Sequence, residues 1–441
     1  MNERQALIMD PKGVPVASLL LALALAGCSM TDSRVPSAKA EVAARDIYFP
    51  LRTIDPADDD FSDLQFLRGL IGTASIVMLG EPHHGAGTSV AARARLVKFL
   101  HGELGFDALV FEAPFFTCNY AWQEVRKGEG SLELLQEAVI PIWSRSEQGR
   151  PLFEEIFAQA HDPRPLVLYG MDPQFITSDW RGRPRQAFGG EFRALLEFKQ
   201  CGSLWNKELL AALIDTTNLD EPPSAEQAAY RTALTSALEA TAACSRASAR
   251  SYPEAHEKVW DQVLWNLEQL ASSRLGDHSD PMLPLIRERA MAANVDWIRR
   301  QQPGRRTIVW AANLHISKDL DSVMAQGLPA NAGETPVGEL LVEAYGREEI
   351  FSILTSSMEE QYRDGSIVRV EKTEIDPSIE SQFLSEGRSA GILDLRAYGA
   401  KHSDGFVSTA FGLYERTARW NEVADALLYL PLMERGHFPK K

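Results

Sequence analysis

Three carboxylates, two imidazoles and a guanidinium are spaced along this chain in a way that suits acid–base chemistry. Gly80-Glu81-Pro82-His83-His84-Gly85 puts a carboxylate three residues before His84. Unperturbed histidine titrates close to neutral pH, so His84 is placed to take a proton from water, with Glu81 orienting the ring or stabilising its charged form. Arg93 is available to stabilise a developing oxyanion. Glu112 and Asp172 are further carboxylates, and His315 is an imidazole able to protonate a leaving alkoxide. This set suits hydrolysis of an ester by direct attack of water. It implies no serine or cysteine nucleophile.

Short apolar runs at 75–79, 108–111, 165–169, 307–310, 350–354 and 390–393 read as buried strands, with helical patterns between several of them. The alternation predicts an α/β fold: a central mixed, partly parallel β-sheet flanked by helices. Sites in such sheets form at the carboxyl ends of strands. There the first run leads into Glu81 and His84, the second into Glu112, the third into Asp172 and the fourth into Asn313 and His315. A helix is expected from Thr88 or Ser89, as N-cap, to about Leu104. Its apolar stripe is Val90, Val97, Leu100 and Leu104, and Arg93 fills the vacant place in that series. A guanidinium on a core face needs an anion, and Glu81 or Glu112 is the partner expected. Between 185 and 300 the texture turns Ala- and Leu-rich. Ser224-Ala225-Glu226-Gln227 reads as a capping box. Trp260, Val263, Leu267 and Leu270 form a helical stripe, with His256 packed on it rather than acting as a ligand. This is an inserted helical subdomain between the two parts of the body, 56–184 and 301–441.

Lys and Arg number 45 against 61 Asp and Glu, a formal charge of -16. That balance argues against a nucleic-acid partner, which requires a basic face. Residues 14–26 form a 13-residue apolar stretch, short for a bilayer span and of the length of a signal h-region. Its end, Leu25-Ala26-Gly27-Cys28, resembles a bacterial lipobox. The resemblance implies a signal peptide over 1–27, a lipid on Cys28 that anchors the chain to a membrane, and a tether over 28–55. Ser29 at the next position is similar to the pattern sorted to the outer membrane, facing the periplasm. An exported chain meets an oxidising compartment. Two readings of the remaining cysteines stand: a Cys201–Cys244 disulfide, or three thiols including Cys118.

Two motifs fail on context. Gly387-Arg388-Ser389-Ala390-Gly391 has the nucleophile-elbow pattern, but its strand follows the serine instead of preceding it. The turn at 80–85 lacks the Gly-Lys-Ser/Thr ending of a phosphate loop.

The turn at 80–85, with Arg93 nine residues after His84 and Glu112 in Val110-Phe111-Glu112-Ala113, resembles the erythromycin esterase family. Gly170-Met171-Asp172, the helix from Arg287-Glu288 through Met291-Ala292 and Asn294 to Trp297, Val337-Gly338-Glu339 and Leu393-Asp394-Leu395-Arg396 are similar to further family segments. The resemblance runs from about residue 65 to 435. It implies a hydrolase of small-molecule esters or lactones, macrolides among them, with His84 as general base and Glu81, Arg93, Glu112 and His315 in the same pocket. On this reading Asp172, Asn294 and Asn313 bind substrate, and no cofactor is needed. One departure stands out: where the family carries Trp-x-His-Asn-x-His, this chain has Trp310-Ala311-Ala312-Asn313-Leu314-His315, so Ala312 replaces the first histidine. Two alternatives remain open. One is a hydrolase using a divalent metal held by Glu81, His84, Glu112 and His315. The other is a non-enzymatic surface lipoprotein that binds a small ligand or haem in the same cleft.

Overall fold

Apolar runs without polar alternation mark strands covered on both faces, and they build the centre of this molecule. The computed structural model describes residues 47–174, 183–206, 225–250, 254–275, 283–324, 335–362, 364–370, 377–412 and 414–438. Cys28, the leader and the capping serine, Ser224, lie outside them. The main strands are β1 (Tyr48–Pro50), β2 (Ile76–Glu81), β3 (Phe106–Pro114), β4 (Val167–Asp172), β5 (Arg306–Ala312) and β6 (Ile350–Ser356). The later ones are β7 (Glu359–Gln361), β8 (Ile367–Arg369), β9 (Gly391–Asp394), β10 (Phe406–Ser408), β11 (Arg416–Ala418) and β12 (Ala426–Tyr429). Eight of them form one sheet in the order β1-β9-β12-β6-β2-β5-β3-β4, and β7-β8 and β10-β11 form two small ribbons. From β12 through β4 the neighbours run parallel, whereas β9 and β1 are antiparallel. The sheet is therefore mixed and mostly parallel, as the alternation of elements predicts.

Two differences concern the sheet. Tyr48–Pro50 pairs with β9 as an edge strand, so the expected tether over 28–55 gives way to folded chain by Tyr48. The strands also run further than the apolar runs: Glu81, Glu112 and Asp172 are strand residues rather than loop residues.

Helices cover both faces: α1 (Gly87–Leu104), α2 (Phe115–Lys127), α3 (Arg183–Phe198), α4 (Ala225–Ala247), α5 (Glu254–Leu275), α6 (Leu283–Gln301) and α7 (Val337–Tyr345). The N-cap of α1 is Ala86, with no side-chain cap, not Thr88 or Ser89. Thr88 Oγ1 instead accepts the Glu434 amide at 2.8 Å, tying the end of the chain to the helix start. Helix α1 is buried nearly all round: Ala92, Ala94, Leu96 and Phe99 are as buried as the stripe. The stretch 185–300 is mostly helical where it is described, with a short non-helical passage at 199–206 around a 3-10 turn. It does not separate from the sheet, since Ala43–Lys441 forms one compact unit and α6 packs against β4, α5 and α7. A disulfide joins Cys201, just past α3, to Cys244 in α4, while Cys118 is a buried free thiol. Among the described residues, no helix is long and apolar enough to cross a membrane.

Candidate active site

Four neighbouring parallel strands, β2, β5, β3 and β4, bring Glu81, Ala312, Glu112 and Asp172 to one rim. Glu81 lies opposite Ala312 across β2 and β5, and Pro114, two residues past Glu112, lies opposite Asp172. The loop after β5 closes directly on β2. A Cβ at Gly80 would stand 2.1 Å from Asn313 Oδ1, so only glycine fits that crossing.

Glu81 is fully buried and saturated with donors. His84 Nδ1 lies 2.6 Å from Oε1, and Trp143 Nε1 donates to both oxygens at 3.0 Å. Arg93 Nη2 donates to Oε2. The Arg93 guanidinium sits 4.0 Å over the Trp310 ring, and its Nε donates to Ser89 O at 3.3 Å. His84 is the exposed end of this chain of contacts, with a side chain 46% accessible, held edge-on to Trp143 at 5.4 Å. With Nδ1–H donated to Glu81, the Nε2 lone pair of the neutral ring remains available. The hydrogen bond to Glu81 raises the His84 pKa and outweighs the opposing effect of burial. His83 points elsewhere, its Nε2 lying 3.3 Å from Glu360.

A second group adjoins the first. Glu112 is buried and accepts the Ala312 amide at 3.0 Å and Arg287 Nη2 at 3.0 Å, and it lies 3.1 Å from His315 Nε2. Burial would raise its pKa, but the charge of His315, Arg287 and the Ala312 amide hold it well below the usual carboxylate range. Arg287 also pairs with Asp172 at 2.7 Å. His315 Nδ1 lies 2.7 Å from Glu288. Burial works against charge on His315, but Glu112 and Glu288 prevail and push it up to about 10.

The expected residues therefore converge in two linked groups: Glu81 with His84 and Arg93, and Glu112 with His315 and Asp172. Several roles change. Arg93 has no access to substrate, being fully buried behind Glu81, so it holds the carboxylate and does not meet an oxyanion. The guanidinium that reaches the surface is Arg287, with a side chain 26% accessible. Asp172 is that arginine's counter-ion and not a substrate contact. Asn294 is buried between α5, α6 and β4, donating to Met171 O at 2.7 Å and to Asn266 at 2.8 Å. Asn313 donates to Thr355 O at 2.8 Å and to Ala410 O and accepts the Thr355 amide at 3.1 Å. Both asparagines fasten elements together and have no polar atom left for substrate.

The four residues of the metal alternative do not form a ligand set. Among the described residues, no three or more His, Cys, Asp or Glu side chains converge so as to hold a metal ion. The oxygens of Glu81 and Glu112 already accept from guanidinium, indole and amide donors. Trp143, Arg287 and Glu288 have site roles that were not assigned to them from sequence. Arg287 had a readable signal. It shares a helical stripe with Met291, Asn294 and Ile298, all buried, the same pattern that marks Arg93. Ser389 precedes β9, in keeping with rejection of the nucleophile-elbow motif.

The family model described as Erythromycin esterase matches residues 101–425. That span includes Glu112, Asp172, Arg287, Glu288 and His315 and begins after Glu81, His84 and Arg93. YbfO of Bacillus subtilis (strain 168), which carries a provisional hydrolase name, is 23% identical over 304 residues, 64% of this chain and 66% of that protein. Two solved structures share the fold. A Bacillus cereus protein has a TM-score of 0.68 at 21% identity, covering 91% of this chain and 99% of that one. A mutant of erythromycin esterase EreC in its open conformation has a TM-score of 0.60 at 18% identity, covering 88% and 97%.

Proposed function

This chain belongs to the erythromycin esterase family, and from that premise we propose that it hydrolyses a carboxylic ester or lactone of a small molecule, with water activated by His84. The observation that carries the reading is the His84–Glu81 contact at 2.6 Å on a half-exposed imidazole, which leaves Nε2 to face solvent. Water bound there loses a proton to Nε2 as its oxygen bonds to the carbonyl carbon. The tetrahedral oxyanion is stabilised by the Arg287 guanidinium. As the carbon–oxygen bond to the leaving group breaks, the alkoxide recovers the proton from His84. Arg93 and Trp143 fix Glu81, and Glu81 fixes His84. The reaction needs no metal. The lipobox-like run ending at Cys28 supports a lipid-anchored placement of this hydrolase at the outer membrane, facing the periplasm.

The test is a pair of variants assayed over a panel of esters and lactones. His84→Ala lowers turnover by ~10²–10⁴-fold, the usual loss for a positioned general base, and His83→Ala keeps most of it. The acid limb of kcat/KM lies above 6.5, because the folded-state pKa of His84 is raised and only the neutral ring accepts a proton. A wild-type rate in His84→Ala, or dependence on His83 alone, overturns the assignment.

A further inference from the structure

We propose that the segment 433–437 is a strap that positions the site. It clamps the turn carrying His84 against the turn carrying Trp143, and Gly87 is the residue that leaves room for it. This rests on the hydrolase reading above and adds positioning residues to it.

The strap is laid down by main-chain bonds to three parts of the site. It begins alongside the β7–β8 ribbon, where Met433 N donates to Glu359 O at 2.7 Å and Met433 O accepts the Gln361 amide at 2.9 Å. Between those two ribbon residues stands Glu360, whose carboxylate meets His83. The strap then crosses the turn after β2. Glu434 N donates to Thr88 Oγ1 at 2.8 Å, Arg435 bridges to Ala86, and Gly436 N donates to Gly85 O at 2.9 Å. It ends on the chain that follows the one-turn helix Pro141–Ser144. There His437 O accepts the Glu147 amide at 2.7 Å, and His437 N donates to Gln148 Oε1 at 3.0 Å. His84 and Trp143 both bond to Glu81. The segments that carry them are thus fastened to one run of backbone.

Apolar burial does little to hold this run. Of its residues only Met433 is buried, and Glu434 and His437 are exposed. Its place therefore depends on hydrogen bonds and on close fit. Gly87 sets that fit. A Cβ there would stand 2.6 Å from Arg435 O and 2.8 Å from Gly436 Cα, backbone atoms that cannot swing aside. Gly87 opens α1, and alanine outranks glycine in helices. The glycine thus answers to the strap and not to the helix. Gly102, near the other end of α1, has nothing within 4 Å of its Cβ position.

The experiment compares Gly87→Ala, Gln148→Ala and Gly102→Ala in the full chain. Gly87→Ala displaces the strap, Gln148→Ala frees its far end, and Gly102→Ala is the control. Each is read by ester cleavage and by the NMR resonance of the Trp143 indole N–H, assigned with Trp143→Phe. Gly87→Ala lowers kcat by about tenfold or more with KM little changed, since a misplacement near 1 Å is enough to cost about 10²-fold. Gln148→Ala lowers kcat by less, again at nearly constant KM, and Gly102→Ala keeps the wild-type rate. The indole resonance moves in the first two variants and stays in the third. A wild-type kcat in either Gly87→Ala or Gln148→Ala overturns the proposal, as does an equal loss in Gly102→Ala or an indole resonance unmoved in both strap variants. Should Gly87→Ala fail to fold, Gln148→Ala decides alone. Should no ester be cleaved, the hydrolase reading fails while the indole resonance still judges the strap.

Discussion

Glu81→Gln tests the site through its most buried contact. The wild-type carboxylate is fully buried and receives Arg93, Trp143 and His84. The amide keeps one acceptor oxygen, which Trp143 can still use. It has no charge to set against Arg93, which keeps Ser89 O, the face of Trp310 and the more distant charge of Glu112. An uncompensated buried charge costs about 3–5 kcal/mol. The new NH₂ also faces donors, a mismatch worth about 1–3 kcal/mol. Against a total stability of about 5–15 kcal/mol, the single variant approaches the threshold of unfolding. Removing both charges, as Glu81→Gln with Arg93→Met, removes both ions of this pair and recovers about 2 kcal/mol or more of that loss. Urea denaturation followed by circular dichroism gives all the values needed. A loss below about 1 kcal/mol in Glu81→Gln, or a double variant no more stable than the single, refutes the view that Arg93 exists to hold Glu81.

Three further outcomes follow from other parts of the chain. The Cys201–Cys244 bridge spans a sequence separation of 43, so the chain-entropy estimate gives about 4 kcal/mol lost in Cys201→Ser; equal stability of the wild type with and without reductant contradicts it. Labelled palmitate enters the wild type and not Cys28→Ala, and equal labelling of the two rejects the lipid anchor. Exhaustive chelation leaves ester turnover unchanged; a loss restored by an added divalent ion returns the metal alternative to first place.

The parts legible in the sequence were those whose signal is local. Fully buried strands give unbroken apolar runs, and the runs leading to Glu81, Glu112, Asp172 and His315 located four strand ends. Arg93 was legible because a charge on an apolar stripe has only one cheap resolution, and its pairing with Glu81 fits that expectation. Strand β1 was missed because its sheet partner among the described residues is β9, more than three hundred residues away, and its three residues show no period. Trp143 was missed for a similar reason. It sits in a one-turn helix, Pro141–Ser144, and only the fold brings its indole to Glu81. Asn294 and Asn313 illustrate the opposite error. A polar residue near a strand end can read as a substrate contact when every one of its polar atoms is bonded within the fold. Glu288 was quoted within a family segment but given no role, since its two partners, His315 and the Val337 amide, are distant in sequence.

Ala312 lacks the imidazole expected at its place, yet the backbone there does a specific job: its amide donates to Glu112 Oε2. A main-chain donor does not depend on the side chain it carries, so Glu112 keeps this contact with any residue at position 312 except proline, which has no N–H. The demands of folding and the demands of substrate are thereby separated at a single residue on the rim. Side chains can be exchanged there, in the laboratory or by drift, without disturbing the ion network beneath. Position 312 is thus a point of evolvability, where the side chain can change by one substitution at a time while the backbone contact to Glu112 is kept.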